Sequence, residues 1–311
     1  MSCNTGAFGD LLVTGVILGS IYALIALGYT MVYGVLKLIN FAHDAIFMIG
    51  AASAFYILGE GLNLTTAESG IILLAILGFG LIASGVSSAG AAVLLERLAY
   101  RPLRKRGAAR LAFLISAVGA SFFMTYLFQQ EFLLGTREHP FPQFMETQKA
   151  ITILGSQVNN RRVLAVLAVI VLFIFLDFFV RKTRTGRSIR AVAQDIDASR
   201  LMGVNVDRVI VTTFFVGGFF GGIAGFLYGL VFSKVAWNLG FIPGIKAFTA
   251  AVLGGIGNIR GALFGGLALG LIENLSTLCI GTQWKNPIAF GILVAVLVFR
   301  PTGILGEGLS K

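Results

Sequence analysis

Long apolar runs recur along this chain, and nothing else in it limits the possible folds so tightly. They fall at 11–36, 69–95, 111–130, 163–180, 209–232, 261–280 and 286–300. A helix needs about 20 apolar residues to cross the hydrocarbon layer. Backbone inside that layer finds no water and must bond to itself, which runs of this length do as α-helices. Two shorter stretches, 45–58 and 244–256, read as half-helices or as spans completed by their neighbours. The expected fold is all-α, a polytopic membrane helix bundle of about 8–10 membrane elements with broken or re-entrant segments. Hydrophobic residues make up 57% of the chain and charged ones 12%. That balance excludes a soluble enzyme, whose surface it could not cover, and a disordered chain. No positively charged segment precedes the first apolar run, so that run is expected to be kept rather than cleaved.

The net charge of +10 would suit a nucleic-acid partner if it lay on one soluble face. It does not. Six of the 24 basic residues lie between Arg97 and Arg110, and seven between Arg181 and Arg208, in short connections between apolar runs. Such a distribution marks cytoplasmic loops of a polytopic protein, and no nucleic-acid partner is expected. With these loops inside, the polar stretch at about 131–162 lies outside, Arg161 and Arg162 being a local exception. The C-terminus after Arg300-Pro301 falls inside, and the side of the N-terminus depends on whether 45–58 crosses fully. Thr65 to Glu68 has the spacing of a helix capping box. Cys3 and Cys279 are too few for a disulfide framework and lack metal-ligand spacing.

Glycine pairs at Gly218/Gly222 and Gly266/Gly270 have the spacing that lets membrane helices approach closely. A weak internal repeat is also visible. Residues 11–58 run as a long span, a polar break at Lys37 to Asp44 and a short apolar stretch; residues 209–256 repeat that order with a break at Ser233 to Lys246. Paired interruptions of this kind point to a transport pathway.

Ionisable residues at membrane depth are costly and are functional candidates by default. The pathway candidates are Lys37, Asn40, His43, Asp44, Lys246 and Glu273. Asn40, His43 and Asp44 are spaced to share one helical face. They belong either to an interfacial loop that caps two helices or to a broken helix lining a path. Glu273 is either a structural partner for Lys246 or Arg260, or a pathway residue. Asp177 is placed for a local pair with Arg181. The glycines of Gly254-Gly255-Ile256-Gly257 form a flexible turn; no Gly-Lys-Ser/Thr phosphate loop occurs there or elsewhere in the chain. In the loop 186–204, Ile189, Val192, Ala193 and Ile196 have amphipathic spacing and Gly203 sits like a helix C-cap. That helix is a membrane-lying connector or a docking element for a cytoplasmic partner.

Several stretches together resemble the permease subunits of branched-chain amino-acid ABC importers, in particular the H-type subunit of leucine-isoleucine-valine systems. They are Ala23 to Gly34, Ile39-Asn40-Phe41-Ala42-His43, Glu96 to Leu103, 186–204, Lys246 to Gly257 and Arg300 to Gly306. The resemblance implies one transmembrane permease domain over 1–311 that does no covalent chemistry and holds no cofactor. ATP would be bound by a partner. The implied partners are a second homologous permease subunit, two cytoplasmic ABC ATPase subunits and an extracytoplasmic substrate-binding protein, assembled in the lipid bilayer of a bacterial-type inner (plasma) membrane. The segment at about 184–206 would be the coupling element, with Arg187, Arg190, Ala193, Asp195 and Gly203 as its residues. The implied cargo is a branched-chain or related amino acid, although urea and short-chain amide permeases share the motifs. In one respect the chain departs from its relatives: Asp44 stands where they carry Gly, and Ala45 where they carry the acidic residue. An ion-coupled secondary transporter is the rival from another class, with Asp44, Glu273 and Lys246 as its coupling groups.

Overall fold

The computed structural model describes residues 7–62, 70–300 and 302–306, so the proposed capping box at Thr65 to Glu68 lies outside the described residues. In chain order the helices are α1 (Phe8–Leu36), α2 (His43–Phe55, continued by a π-turn to Gly61), α3 (Gly70–Leu95), α4 (Arg101–Lys105) and α5 (Arg110–Phe128). Next come α6 (Asn160–Lys182), α7 (Arg184–Gln194), α8 (Ile196–Leu201), α9 (Val206–Phe232) and α10 (Phe241–Gly254). The last are α11 (Ile259–Leu275), α12 (Thr277–Ile280) and α13 (Lys285–Phe299). Among the described residues, eight helical stretches are long and apolar enough to cross a membrane, and α10 is a shorter apolar helix. The chain is a multi-pass helical membrane protein.

Two units of the same plan dominate the bundle. In the first, α1 ends at Lys37, a left-handed residue (φ 54°) whose N–H reaches Tyr33 O at 2.8 Å. A break to Ala42 follows, then the 13-residue α2 and the long α3. In the second, α9 ends at Ser233 (φ 56°), whose N–H reaches Gly229 O at 2.7 Å; a break and the 14-residue α10 follow, then α11. The units run in opposite senses. The start of α1 lies against the hairpin of β2 (Lys149–Ile153) and β3 (Ser156–Asn159), where Ser156 donates to Asp10. Just beyond its far end, Asn40 Oδ1 accepts from Tyr100 Oη–H. By contrast, α9 has Asp207 of its first turn beside Arg101 and Arg104 and ends where Phe141 N–H meets Ser233 O. The relation is that of an inverted repeat.

The two units are interleaved. α1 packs mainly on α11, and α9 on α3, with α1 and α9 crossing at the centre. Both long helices bury 72% of their most apolar window, against 6% for α13 at the periphery. Glycine permits the α1–α11 contact: a Cβ on Gly270 would lie 2.4 Å from Gly19 Cα. The GxxxG spacing therefore serves packing inside the chain, where close backbone approach replaces side-chain interdigitation.

The basic connections 96–110 and 183–205 gather at one end, and the 129–159 segment at the other. Helix α1 begins at the 129–159 end, which places Phe8 opposite the basic end. Residues 302–306 return to the basic end, where Ile304 N–H and Leu305 N–H donate to Leu253 O (2.8 Å) and Gly254 O (3.1 Å) of α10. Arg161, the exception to the charge pattern, is 8% exposed. It donates to Ser233 Oγ (3.2 Å), Gln143 Oε1 (2.7 Å) and Met145 O, so it braces the end of α9 internally. Cys279, in α12, is disulfide-bonded rather than a free thiol.

Candidate functional site

The break before α2 brings polar groups to the centre of the bundle. Asn40 precedes the helix, and its Oδ1 accepts from Ala42 N–H and Tyr100 Oη–H, both at 3.2 Å. This side chain offers the backbone a turn in place of another helical residue, so α2 starts only at His43. The helical face expected for Asn40, His43 and Asp44 is not formed, because Asn40 stands outside the helix. Lys37 is exposed at the basic end of α1 and does not reach the centre.

His43 is 1% exposed and wedged at the α1–α9 crossing. Its ring meets Tyr29 edge-on at 4.7 Å between centroids. A Cβ on Gly28 would fall 2.2 Å from His43 Nε2, and one on Gly221 3.1 Å from it. The imidazole thus fills the space that two glycines leave open.

Asp44 lies in the first turn of α2 and is half-buried. Its Oδ1 accepts from Ser121 Oγ–H of α5 at 2.8 Å and from Ala45 N–H at 2.6 Å. Ser121 is about 17 Å along α5 from its basic end, at 1.5 Å per residue, near the middle of a bilayer core about 30 Å thick. The start of α10 abuts that of α2: a Cβ on Gly244 would lie 2.5 Å from Asp44 Cβ, and one on Gly240 2.1 Å from Asp44 O. The N-terminal ends of two half-length helices therefore meet at Asp44, and the backbone dipoles at such ends favour negative charge. Aromatic rings line the neighbourhood: Phe248 lies 6.0 Å from Tyr29 and 5.7 Å from Phe41, and Tyr126 lies 6.0 Å from Trp237.

Lys246 and Glu273 form a separate constellation, joining α10 to α11 through Nζ–Oε1 at 2.7 Å with side chains 5% and 2% exposed. Lys246 Nζ also lies 5.9 Å from the Tyr22 ring centroid on α1. Of the partners open to Glu273, the structure selects Lys246. Arg260 instead lies 3.6 Å from Asp177, which also makes the expected local pair with Arg181 at 2.9 Å. Removing one member of a fully buried pair costs about 3–5 kcal/mol, because the other charge is stranded.

At the basic end, Arg104 bridges Glu96 (3.1 Å) and Asp207 (2.8 Å), and Arg101 reaches Asp207 at 3.2 Å. These contacts fasten the extension of α3 to the start of α9. Beside them the loop forms two helices where one was expected. Asp195 breaks the run (φ −151°, ψ 117°) because its carboxylate caps α8, accepting from Asp197 N–H and Ala198 N–H at 2.9 Å. Ile189 and Val192 are buried and Ala193 is half-buried, while Arg187, Arg190 and Asp195 are exposed. Gly203 follows α8 in the left-handed region (φ 80°). The most exposed large apolar side chains here are Leu201 (89%) and Met202 (84%). Sequence reasoning passed over them, although two apolar residues at the end of a polar helix were the available signal. It also passed over Ser121, which lies unmarked in an apolar run. Among the described residues no three His, Cys, Asp or Glu side chains are grouped to hold a metal.

Inverted units whose half-length helices meet at membrane depth define a transport protein of the permease class, a subunit that moves a solute rather than transforms it. The family model for the branched-chain amino acid transport system / permease component matches residues 11–297, and the chain belongs to that family. It is 41% identical over 300 residues to the high-affinity branched-chain amino acid transport system permease protein LivH of Salmonella typhimurium, covering 94% of each chain. It is 39% identical over 301 residues to the corresponding protein BraD of Pseudomonas aeruginosa, covering 95% of each. The fructose import permease protein FrcC of Rhizobium meliloti is 32% identical over 142 residues, 43% of this chain and 39% of that one. No solved structure matches.

Proposed function

We propose that this chain is the membrane subunit of an ATP-driven importer for branched-chain or related amino acids, working with a second permease, two ABC ATPases and an extracytoplasmic binding protein. The observation that carries the substrate reading is the end-to-end likeness to permeases named for branched-chain amino acids, set beside a central site of one carboxylate among aromatic rings. With the basic loops in the cytoplasm of a bacterial-type inner membrane, the C-terminal residues lie inside and α1 begins outside.

The roles of the central residues differ. Asp44 faces the path. His43 and Asn40 position the helix that holds it, and the Lys246–Glu273 pair fixes α10 against α11. Lys37 lies at the inner mouth. Coupling runs through α7 and α8. Leu201 and Met202 are the apolar anchors for an ATPase groove, Arg187 and Arg190 the surrounding charges, and Asp195, Ala193 and Gly203 set the shape of the loop. ATP-dependent closure of the partner then shifts the two interleaved units between outward- and inward-open states.

Proteoliposomes containing the purified complex, ATP inside and loaded binding protein outside, should accumulate labelled leucine. Uptake by this subunit alone, driven by an ion gradient, would overturn the proposal in favour of a secondary transporter. In the full complex, Leu201→Asp, Arg190→Glu and Asp195→Arg should each abolish transport while the protein remains in the membrane.

A further inference from the structure

We infer that Asp44 receives the ammonium group of the substrate at mid-membrane and makes the path selective for amino acids over neutral amides; this rests on the importer reading above. The argument begins with charge balance. The fully buried carboxylates Glu96 and Glu273 each pair with a basic side chain. Asp44, half-buried in the first turn of α2, has no ion-pair partner among the described residues. An uncompensated charge in the bilayer interior is costly, and such residues mark solute paths.

The surroundings give this carboxylate hydrogen bonds but no countercharge. It sits in the first turn of α2, against the first turn of α10, and takes hydrogen bonds from Ser121 and Ala45. Both bonds fall on Oδ1, leaving Oδ2 as the acceptor for a ligand. Because Asp44 is only half-buried, that oxygen can be approached from the path. The cluster of Tyr29, Phe41 and Phe248 rings suits a primary ammonium through ring quadrupoles and an aliphatic side chain through contact area. A metal cation would be served poorly: the site offers one carboxylate and rings where sodium or calcium needs a shell of oxygens. A neutral amide would leave the charge unmatched.

The test uses the complete reconstituted complex and labelled leucine. Asp44→Asn should lower uptake roughly ten- to a hundredfold, the loss expected for one charge-assisted hydrogen bond. Hydrolysis of ATP stimulated by the binding protein should continue in that variant, and Asp44→Glu should restore part of the uptake. Wild-type uptake by Asp44→Asn would overturn the inference and leave the importer reading intact. Three other results would also overturn it: leucine uptake that disappears when choline replaces sodium, transport of urea but not leucine by the wild-type complex, and subunit dissociation in Asp44→Asn but not in Asp44→Glu. The last would identify the missing cation as a neighbouring subunit's side chain. Failure of the wild-type complex to use ATP for any uptake would instead remove the importer reading itself.

Discussion

The unit of α1, α2 and α3 and the unit of α9, α10 and α11 follow the same backbone path in opposite directions, yet they are fastened by different chemistry. In the first, α2 is held to α3 by hydroxyls: Ser88 Oγ–H donates to Ile46 O at 2.9 Å, and Ser53 and Ser87 share a bond of 2.6 Å. In the second, α10 is held to α11 by the buried Lys246–Glu273 pair. Hydroxyl bonds are neutral and individually weak, and among the described residues the first unit leaves the Asp44 carboxylate without an ion-pair partner. The second carries two charges that satisfy each other. An inverted repeat therefore fixes where the chain turns back and leaves each half to choose what it does there.

That contrast can be broken most severely in the second unit. Glu273→Ala should destabilise the protein by about 3–5 kcal/mol by stranding Lys246, read as a large fall in the thermal midpoint in detergent. The double replacement Lys246→Met with Glu273→Leu should recover most of that loss, since no charge is left buried. A smaller effect is expected at the crossing. Gly28→Ala drives a methyl into His43 and should cost about 1–3 kcal/mol by overpacking. Gly34→Ala, whose nearest neighbour would be 3.9 Å away, should be nearly silent in the same assay. The first unit should prove the more forgiving. Ser88→Ala leaves one carbonyl without its extra donor and should cost about 1 kcal/mol. A loss as large as that of Glu273→Ala would erase the distinction between the units. At the basic end, Asp195→Ala removes the cap of α8 and should cost about 1 kcal/mol or less, with a larger effect on coupled ATP hydrolysis than on the midpoint.

Much of the path was legible because spans are written as uninterrupted apolar length, and the two breaks as polar residues within it. Their inverted relation was not. Order along the chain says nothing of direction until the ends are placed, and only contacts such as Ser156 to Asp10 and Asp207 to Arg104 place them. Lys246 and Glu273 were visible singly, because an ion in an apolar run is conspicuous; their pairing depends on the α10–α11 packing. The split of the 186–204 loop at Asp195 was missed because apolar spacing there suits one helix, while a side-chain carboxylate competing for backbone N–H groups leaves no mark on periodicity. Ser121 was missed because a hydroxyl in a membrane helix ordinarily bonds its own backbone. It gains meaning only from the carboxylate it faces.

The segment 302–306 has a consequence for the order in which the molecule is made. The terminal carbonyls of α10 at Leu253 and Gly254 are met by N–H groups of Ile304 and Leu305. During synthesis these carbonyls must wait, at the basic end of a helix too short to span alone, until α11, α12 and α13 have emerged. The first unit also waits on late segments, because α1 packs mainly on α11 and α3 on α9. The second is sealed only by the tail, so chains truncated before it would leave the ribosome with that half unfinished and exposed to membrane proteases.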